Sequence, residues 1–262
     1  MPKIAIIGTN TFPLHRESTN FLIDFSDKLR LLTECCGSVT LRLTKLGYEI
    51  EKIDYLFLSH LHGDHTFGVP LYYHAFWTAI VSQKPIPSII NVLADSVVYS
   101  QTLQITKTLF PYQLSELEKM TKITNQDIAK QPVIQLNKDA LLRPIPLQHV
   151  VPAYGYRIDM ANPSFSIAYV PDTRPFEGLS DLVEDVDVLI HEAFCTEKMH
   201  GLAELTKHST AREAADLAQK SGAKRLVLVH LLYGTEKEIL DEASSRFSGE
   251  TIIPNDYDII EL

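Results

Sequence analysis

Short runs of apolar and β-branched residues recur along the chain: KIAIIG at the start, then DYLFLSH, PSIINVL, FSIAYVPD, VDVLIHE, RLVLVH and YDIIEL at the end. Each has the length of a strand, and most stop at Gly, Pro, Asp or His. Helical spacing fills the intervals, in VTLRLTKLG after Gly37, in VPLYYHAFWTAIVSQ after Gly68 and in the segment that begins at His208. The alternation predicts an α/β protein with strands packed between helices. The clearest helix is HSTAREAADLAQKSGAK. There Thr210 and Glu213 have capping-box spacing, alanines and a leucine fill one face, and Gly222 supplies the stop. Residues 111 to 140 are more polar and read as a peripheral helix and hairpin. The aromatic run LYYHAFWTAI reads as a core helix or a subunit contact and is assigned no chemistry. Without repeats, low-complexity tracts or a Gly/Ser linker, residues 1–262 read as a single domain.

The 262 residues are 45% hydrophobic, enough for a sizeable core. A formal charge of -9 argues against a broad basic face gripping nucleic acid, so DNA is not an expected partner. Three cysteines, two of them adjacent at Cys35 and Cys36, do not make the paired framework of a secreted domain, and a reducing cytoplasm is expected. The start MPKIAIIGTNTF has no basic segment followed by a long apolar one, and nowhere do about 18 apolar residues run uninterrupted. Neither export nor a membrane partner is expected.

The stretch FLSHLHGDHTFG packs three histidines and an aspartate into six residues, directly after a buried-strand pattern. Residues two apart on an extended chain point to the same side, so His60 and His62 can face one ion where the strand ends. Gly63 lets the backbone turn, and Asp64 and His65 can then face a second ion. Imidazole nitrogens with carboxylate oxygens suit zinc, and also manganese or iron. Without an ion, such a cluster would force protonated or unsatisfied rings together. Four side chains do not complete two coordination spheres. The remaining candidates are His149 in PIPLQHVVP, Asp172 in IAYVPDTRP and His230 in RLVLVHLLYG, each where an apolar run gives way to polar or turn residues.

HLHGDH followed by those three strand-end residues resembles the metallo-β-lactamase superfamily and, within it, the ribonuclease Z group. The motifs IGTNTFPLHRES, HLHGDHTFG, HVVPAYGYRI, PDTRP, LIHEAF, KHSTAREAADLA and LVLVH span nearly the whole chain in the family's order. The resemblance implies an αββα sandwich of two mixed β-sheets flanked by helices. It also implies two divalent metal ions, zinc first and manganese or iron as alternatives. His60, His62 and His149 would hold one ion, Asp64, His65 and His230 the other, and Asp172 would bridge them. It implies a hydroxide shared by the two ions that attacks a phosphodiester. His208 would stabilise or protonate the leaving oxygen, Glu192 would orient His208, and Asp64 would also position the attacking water. A homodimer is implied as well. His191 reads as structural and Cys195 as a small buried hydrophobe, while His15, His74 and His200 are left without a role.

The sequence departs from the group in four places. Only DMANPSFSIAYV separates Ile158 from Pro171, where tRNA-processing members carry a long basic arm that clasps tRNA. Pro171 stands where the family has Gly, TECCGS replaces an aspartate-cysteine-glycine ending, and LLYGTEKE lacks the usual Ser and Arg. These changes spare every ligand position, so the expected activity is a dinuclear metal phosphodiesterase acting on an RNA 3′ end or on a small or cyclic phosphodiester. The alternatives are a metallo-hydrolase of a carboxylic ester, thioester, lactone or lactam, and a metal-stabilised scaffold or RNA-binding subunit without turnover.

Overall fold

The computed structural model describes residues 2–12, 16–25 and 29–262, and His15 lies outside them. The chain divides into two compact units, one of residues 1–8, 17–130 and 256–262, the other of residues 9–16 and 131–255. Each unit carries one seven-stranded sheet.

In the first unit the strands, numbered in chain order, are β1 (Lys3–Gly8), β2 (Asn20–Asp24), β3 (Arg30–Thr33), β4 (Tyr55–Phe57), β5 (Ile89–Ala94), β6 (Lys122–Asp127) and β14 (Ile259–Glu261). They lie in the order β14-β1-β2-β3-β4-β5-β6. Pairing is antiparallel from β14 to β3 and parallel from β3 to β6. The helices are α1 (Val39–Lys45), the one-turn α2 (Gly63–Thr66), α3 (Val69–Val81), α4 (Ser96–Leu109) and α5 (Pro111–Met120). The apolar run LYYHAFWTAI is a core helix: Tyr72, Tyr73 and Phe76 of α3 pack with Val39 and Leu43 of α1 and with Leu56, Ile90 and Val92 from the sheet.

The second unit holds β7 (Ile134–Asn137), β8 (Ala140–Leu147), β9 (Ala153–Ala161), β10 (Ser164–Val170), β11 (Val188–Glu192), β12 (Arg225–Val229) and β13 (Glu250–Ile252). Their order is β13-β12-β11-β10-β9-β8-β7, parallel from β13 to β10 and antiparallel from β10 to β7. Its helices are α6 (Leu179–Leu182), α7 (His200–Thr206), α8 (Ala211–Ser221) and α9 (Glu236–Ser244). Ala211, Ala214, Ala215 and Ala218 form the buried face of α8, against Leu189, Leu226 and Leu228 of the sheet. The expected capping box is present, with Thr210 Oγ1 accepting from Glu213 N at 3.2 Å and Glu213 Oε2 accepting from Thr210 N at 2.8 Å. Gly222 closes the helix with φ +73.

Two features bear on function. The C-terminal ends of β4, β10, β11 and β12, all in parallel pairs, open into the loops that carry Ser59 to His65, Asp172, Ala193 and His230. Such ends are where open α/β sheets place their ligand-binding groups. And β9 and β10 are joined by Asn162 and Pro163 alone, with Ala161 paired to Ser164, so the short interval noted in the sequence between Ile158 and Pro171 is a tight hairpin. The peripheral helix and hairpin expected over residues 111 to 140 are α5 and the β7–β8 pair, but β6 between them is a strand at the edge of the first sheet.

Candidate metal centre

In the first unit the site grows from the end of β4. Three residues past the strand, His60 is fully buried, and its Nδ1 lies 2.8 Å from Ser59 Oγ. Its Nε2 lies 3.0 Å from His62 Nδ1, so the alternation of an extended chain brings the two rings to the same side. Asp64 and His65 follow on α2, with His65 Nε2 3.7 Å from Asp64 Oδ2. The His60 and His65 rings are 4.2 Å apart. Gly63 is where the chain turns from the extended His62 into α2, with a negative φ. Its missing side chain makes room, since a Cβ there would lie 2.5 Å from the Phe67 ring.

Glu34, just past β3, is the residue that sequence reasoning overlooked. It is fully buried, accepts from Ser59 N at 3.3 Å, and its Oε1 sits 3.3 Å from His65 Nδ1. Its φ of +63 is uncommon for a residue other than glycine. The adjoining Cys35 ties this loop to α2, since Cys35 N donates to His65 O at 2.9 Å and Gly68 N donates to Cys35 O at 2.8 Å. Only glycine fits at position 68, where a Cβ would stand 2.8 Å from the Cys35 carbonyl oxygen.

In the second unit Asp172 is the centre of a ring of imidazoles. Its Oδ2 lies 3.4 Å from His230 Nε2, 3.7 Å from His149 Nε2 and 3.9 Å from His208 Nδ1. Asp172, His208 and His230 each offer a ligand-type atom, all within 4.8 Å of one another. His149 Nδ1 donates to Lys207 O at 3.0 Å, which turns its Nε2 toward Asp172. His230 takes φ +58 and Lys207 φ +60, sparsely populated for such residues and a cost the surrounding loops must offset.

His208 is held on three sides. Its Nδ1 lies 3.2 Å from both Glu192 oxygens, Phe194 stacks on one ring face at 4.6 Å, and His230 stacks at 5.2 Å. Burial pushes the Glu192 carboxyl up to about 7, against the opposing pull of the His208 charge. Its Oε1 also accepts from Thr173 N at 2.8 Å and Ser209 N at 3.0 Å.

These donors fit divalent metal. His60, His65 and His149 each have Nδ1 beside an oxygen, of Ser59, Glu34 and Lys207, the arrangement that fixes a ligand imidazole's orientation and leaves Nε2 to coordinate. Nitrogen donors with carboxylates of Asp64 and Asp172 are the set that zinc, manganese or iron accept. Losing a partner of a ligand costs about 10–100-fold in metal affinity. Glu34→Gln is therefore expected to weaken zinc binding by about that factor in a chelator competition titration; unchanged affinity would remove Glu34 from the site.

The other histidines separate cleanly. His191 is buried, donates from Nδ1 to the Glu192 carbonyl oxygen at 2.6 Å, and burial pushes its pKa down from 6.5 to about 4. The folded state keeps it neutral, so the unfolded chain binds more protons between those values and stability falls as pH drops through the window. The contribution lost is on the order of 3 kcal/mol. Urea unfolding at a series of pH values is expected to show a shallower acid loss in His191→Asn than in the parent. His74 lies on α3 between Trp77 and Phe110, at ring distances of 5.1 and 4.7 Å, and His200 lies beside Glu197 on α7. Cys195 is buried, and burial pushes its thiol up to about 11, as for an inert small hydrophobe.

Among the described residues no helix is long and apolar enough to cross a membrane. Along the chain, the ribonuclease Z of Halorubrum lacusprofundi is 28% identical over 302 aligned positions, which cover 99% of this chain and 97% of that protein. Among solved structures, the metallo-β-lactamase fold protein YhfI from Bacillus subtilis matches with a TM-score of 0.79 at 23% identity, covering 98% of both chains. The short form of human tRNase Z matches with a TM-score of 0.78 at 20% identity, covering 99% of this chain and 98% of that one. Two mixed sheets flanked by helices are thus the metallo-β-lactamase fold. The family profile described as "Beta-lactamase superfamily domain" matches residues 19–231, and with the histidine–carboxylate loops at those strand ends the chain belongs to the β-lactamase superfamily in its metal-binding form.

Proposed function

We propose that the protein is a metal-dependent hydrolase that cleaves a phosphodiester through one domain spanning residues 1–262, in the manner of ribonuclease Z. His60, His62 and His149 would hold one divalent ion, Asp64, His65 and His230 a second, and Asp172 would serve both. Bound there, the ions supply a nucleophilic water at neutral pH and positive charge for the phosphoryl oxygens. Asp64, on the first turn of α2 and partly exposed, orients the attacking water and accepts its proton. Glu192 holds the Nδ1 proton of His208, and His208 Nε2 delivers a proton to the departing oxygen.

The observation that carries this reading is the His208–Glu192 pair, with Nδ1 3.2 Å from both carboxylate oxygens and 3.9 Å from Asp172. An acid held beside the ligands serves a poor leaving group such as a ribose alkoxide; a β-lactam or a thioester has less need of one. The relatives named ribonuclease Z favour the same substrate class. With β9 and β10 joined by two residues and a net charge of -9, the substrate is a short RNA or a small or cyclic phosphodiester as readily as a tRNA precursor.

The test is direct. Protein loaded with zinc or manganese is expected to carry close to two ions per chain. It is expected to hydrolyse bis(p-nitrophenyl) phosphate and to leave a thioester and a β-lactam untouched, with a tRNA precursor run in parallel. Esterase or lactamase activity without phosphodiesterase activity would overturn the reading, and so would a fully metallated protein that turns over none of the four.

A further inference from the structure

We propose that Arg174 is a positioning residue for His208, gripping the loop that presents it from both sides. The inference rests on the phosphodiesterase reading, because that reading gives His208 a proton to deliver and therefore a geometry to be held.

The backbone that carries His208 belongs to no regular element. α7 ends at Thr206, Lys207 turns through the left-handed region, and α8 begins only after its cap at Thr210. The imidazole is held by Glu192 and the two stacked rings, yet its carbonyl needs an anchor of its own if the loop is not to swing. Arg174 provides it. Its Nη1 donates to His208 O at 2.5 Å and to Glu213 Oε2 at 2.8 Å, while Nη2 donates to Glu213 Oε1. The same Glu213 Oε2 accepts from Thr210 N at 2.8 Å. One planar guanidinium thus joins the carbonyl of His208 to the carboxylate that caps the following helix, a fork geometry lysine does not reproduce.

The anchor is itself fixed. Arg174 N donates to Gln148 O at 2.8 Å, Gln148 N donates to Thr173 Oγ1 at 3.0 Å, and Ser209 Oγ donates to Thr173 O at 2.7 Å. The short segment Asp172 to Arg174 is therefore stitched to the residue before His149 and to the residue after His208, so a ligand position and the acid share one frame. The ion pair is shielded, its side chains 15% and 19% exposed. Burial works against the charge of Glu213, but Arg174 and the Thr210 amide outweigh it and hold the carboxyl below its ordinary range. A shielded, bidentate pair of this kind carries more geometric specificity than an exposed one.

A brace for α8 alone would act independently of His208, whereas a positioning residue acts through it, and a double-mutant cycle separates the two. In zinc-loaded protein with a diribonucleotide as probe, Arg174→Met is expected to lower kcat by about 10–100-fold with KM and zinc per chain unchanged, and to cost much less on bis(p-nitrophenyl) phosphate, whose leaving group needs little proton. In a His208→Ala background the same substitution is expected to change kcat by less than about twofold. An undiminished loss in that background overturns the proposal. Should Arg174→Met fail to fold, Arg174→Lys, which keeps the cation and loses the fork, is expected to give a smaller loss with the same dependence on His208. A second readout needs neither metal nor substrate: in metal-free protein labelled with ¹⁵N-histidine, the His208 Nδ1 proton resonance is expected to shift or broaden in Arg174→Met. A resonance unchanged in position and width overturns the proposal. A His208→Ala protein with full turnover would instead sink the phosphodiesterase reading, leaving the resonance to decide the role of Arg174.

Discussion

Replacing Asp172 by alanine is expected to strip the protein of bound metal and to lower phosphodiester turnover by more than about a thousandfold, well beyond the 10–100-fold typical of losing only a partner of a ligand. The reason lies in what surrounds the carboxylate. Asp172 is 1% exposed and has imidazole nitrogens of His230, His149 and His208 within 3.4 to 3.9 Å. Its side chain is the carboxylate at the middle of that group, and without it cations drawn there would lose the acidic donor that those three rings surround. The backbone need not change, because the neighbouring Thr173 and Arg174 keep their own bonds to Glu192, Gln148 and His208. Metal per chain by elemental analysis, turnover on bis(p-nitrophenyl) phosphate and far-ultraviolet circular dichroism together check the expectation. A folded Asp172→Ala protein that keeps two ions and its turnover would show that the bridge is elsewhere.

Much of this arrangement is legible in the residues, and the parts that are not have physical reasons. The seven quoted strand runs each hold a strand, and most of them are buried on both faces, which is why they read as short apolar blocks with polar ends; β14, exposed at two of its three positions, is the exception. The polar ends are where Asp172, Glu192 and His230 sit. The capping box of α8 was legible for a local reason: Thr210 and Glu213 satisfy each other's backbone groups whatever the rest of the chain does. By contrast β2 and β3 are only five and four residues long and almost wholly buried, so they show neither alternation nor a long block. β6 was hidden by its composition, since KITNQD at a sheet edge is half-exposed throughout. α4 is rich in Val and Thr, poor helix formers, and depends on the Asp95 cap at 2.8 Å and on packing against α3 and α5.

The site shows the same division. The HLHGDH cluster is legible because metal chemistry demands several ligands and local sequence supplies four side chains of ligand type. Glu34 and Arg174 are not, since each reaches its partner across a long sequence interval, from 34 to 65 and from 174 to 208 and 213. A single acidic residue closing an apolar strand, or one arginine in a turn, carries no periodicity to reveal it. In the TECC segment the clue was the acid itself, standing where an apolar strand ends in a buried loop.

His208→Ala is expected to keep both metal content and fold while losing phosphodiester turnover by about 10²–10⁴-fold, the range that general acid–base help supplies. Metal should stay because His208 is turned by Nδ1 toward Glu192 rather than toward the ligand cluster, at 3.2 Å against 3.9 Å to Asp172. The loss should also depend on the leaving group. A p-nitrophenolate departs with little need of a proton, whereas a ribose alkoxide cannot leave without one, so the substitution should cost far more on a diribonucleotide than on bis(p-nitrophenyl) phosphate. The pH profile gives an independent check. A proton donor must be protonated, so kcat of the parent should fall as pH rises and the donor is lost. That alkaline limb should vanish in His208→Ala, and Glu192→Gln, which keeps a hydrogen-bond acceptor but removes the negative charge, should weaken it without abolishing turnover. Equal losses on the two substrates, or an alkaline limb that survives the alanine substitution, would assign His208 to holding the loop together and leave the leaving oxygen to another group.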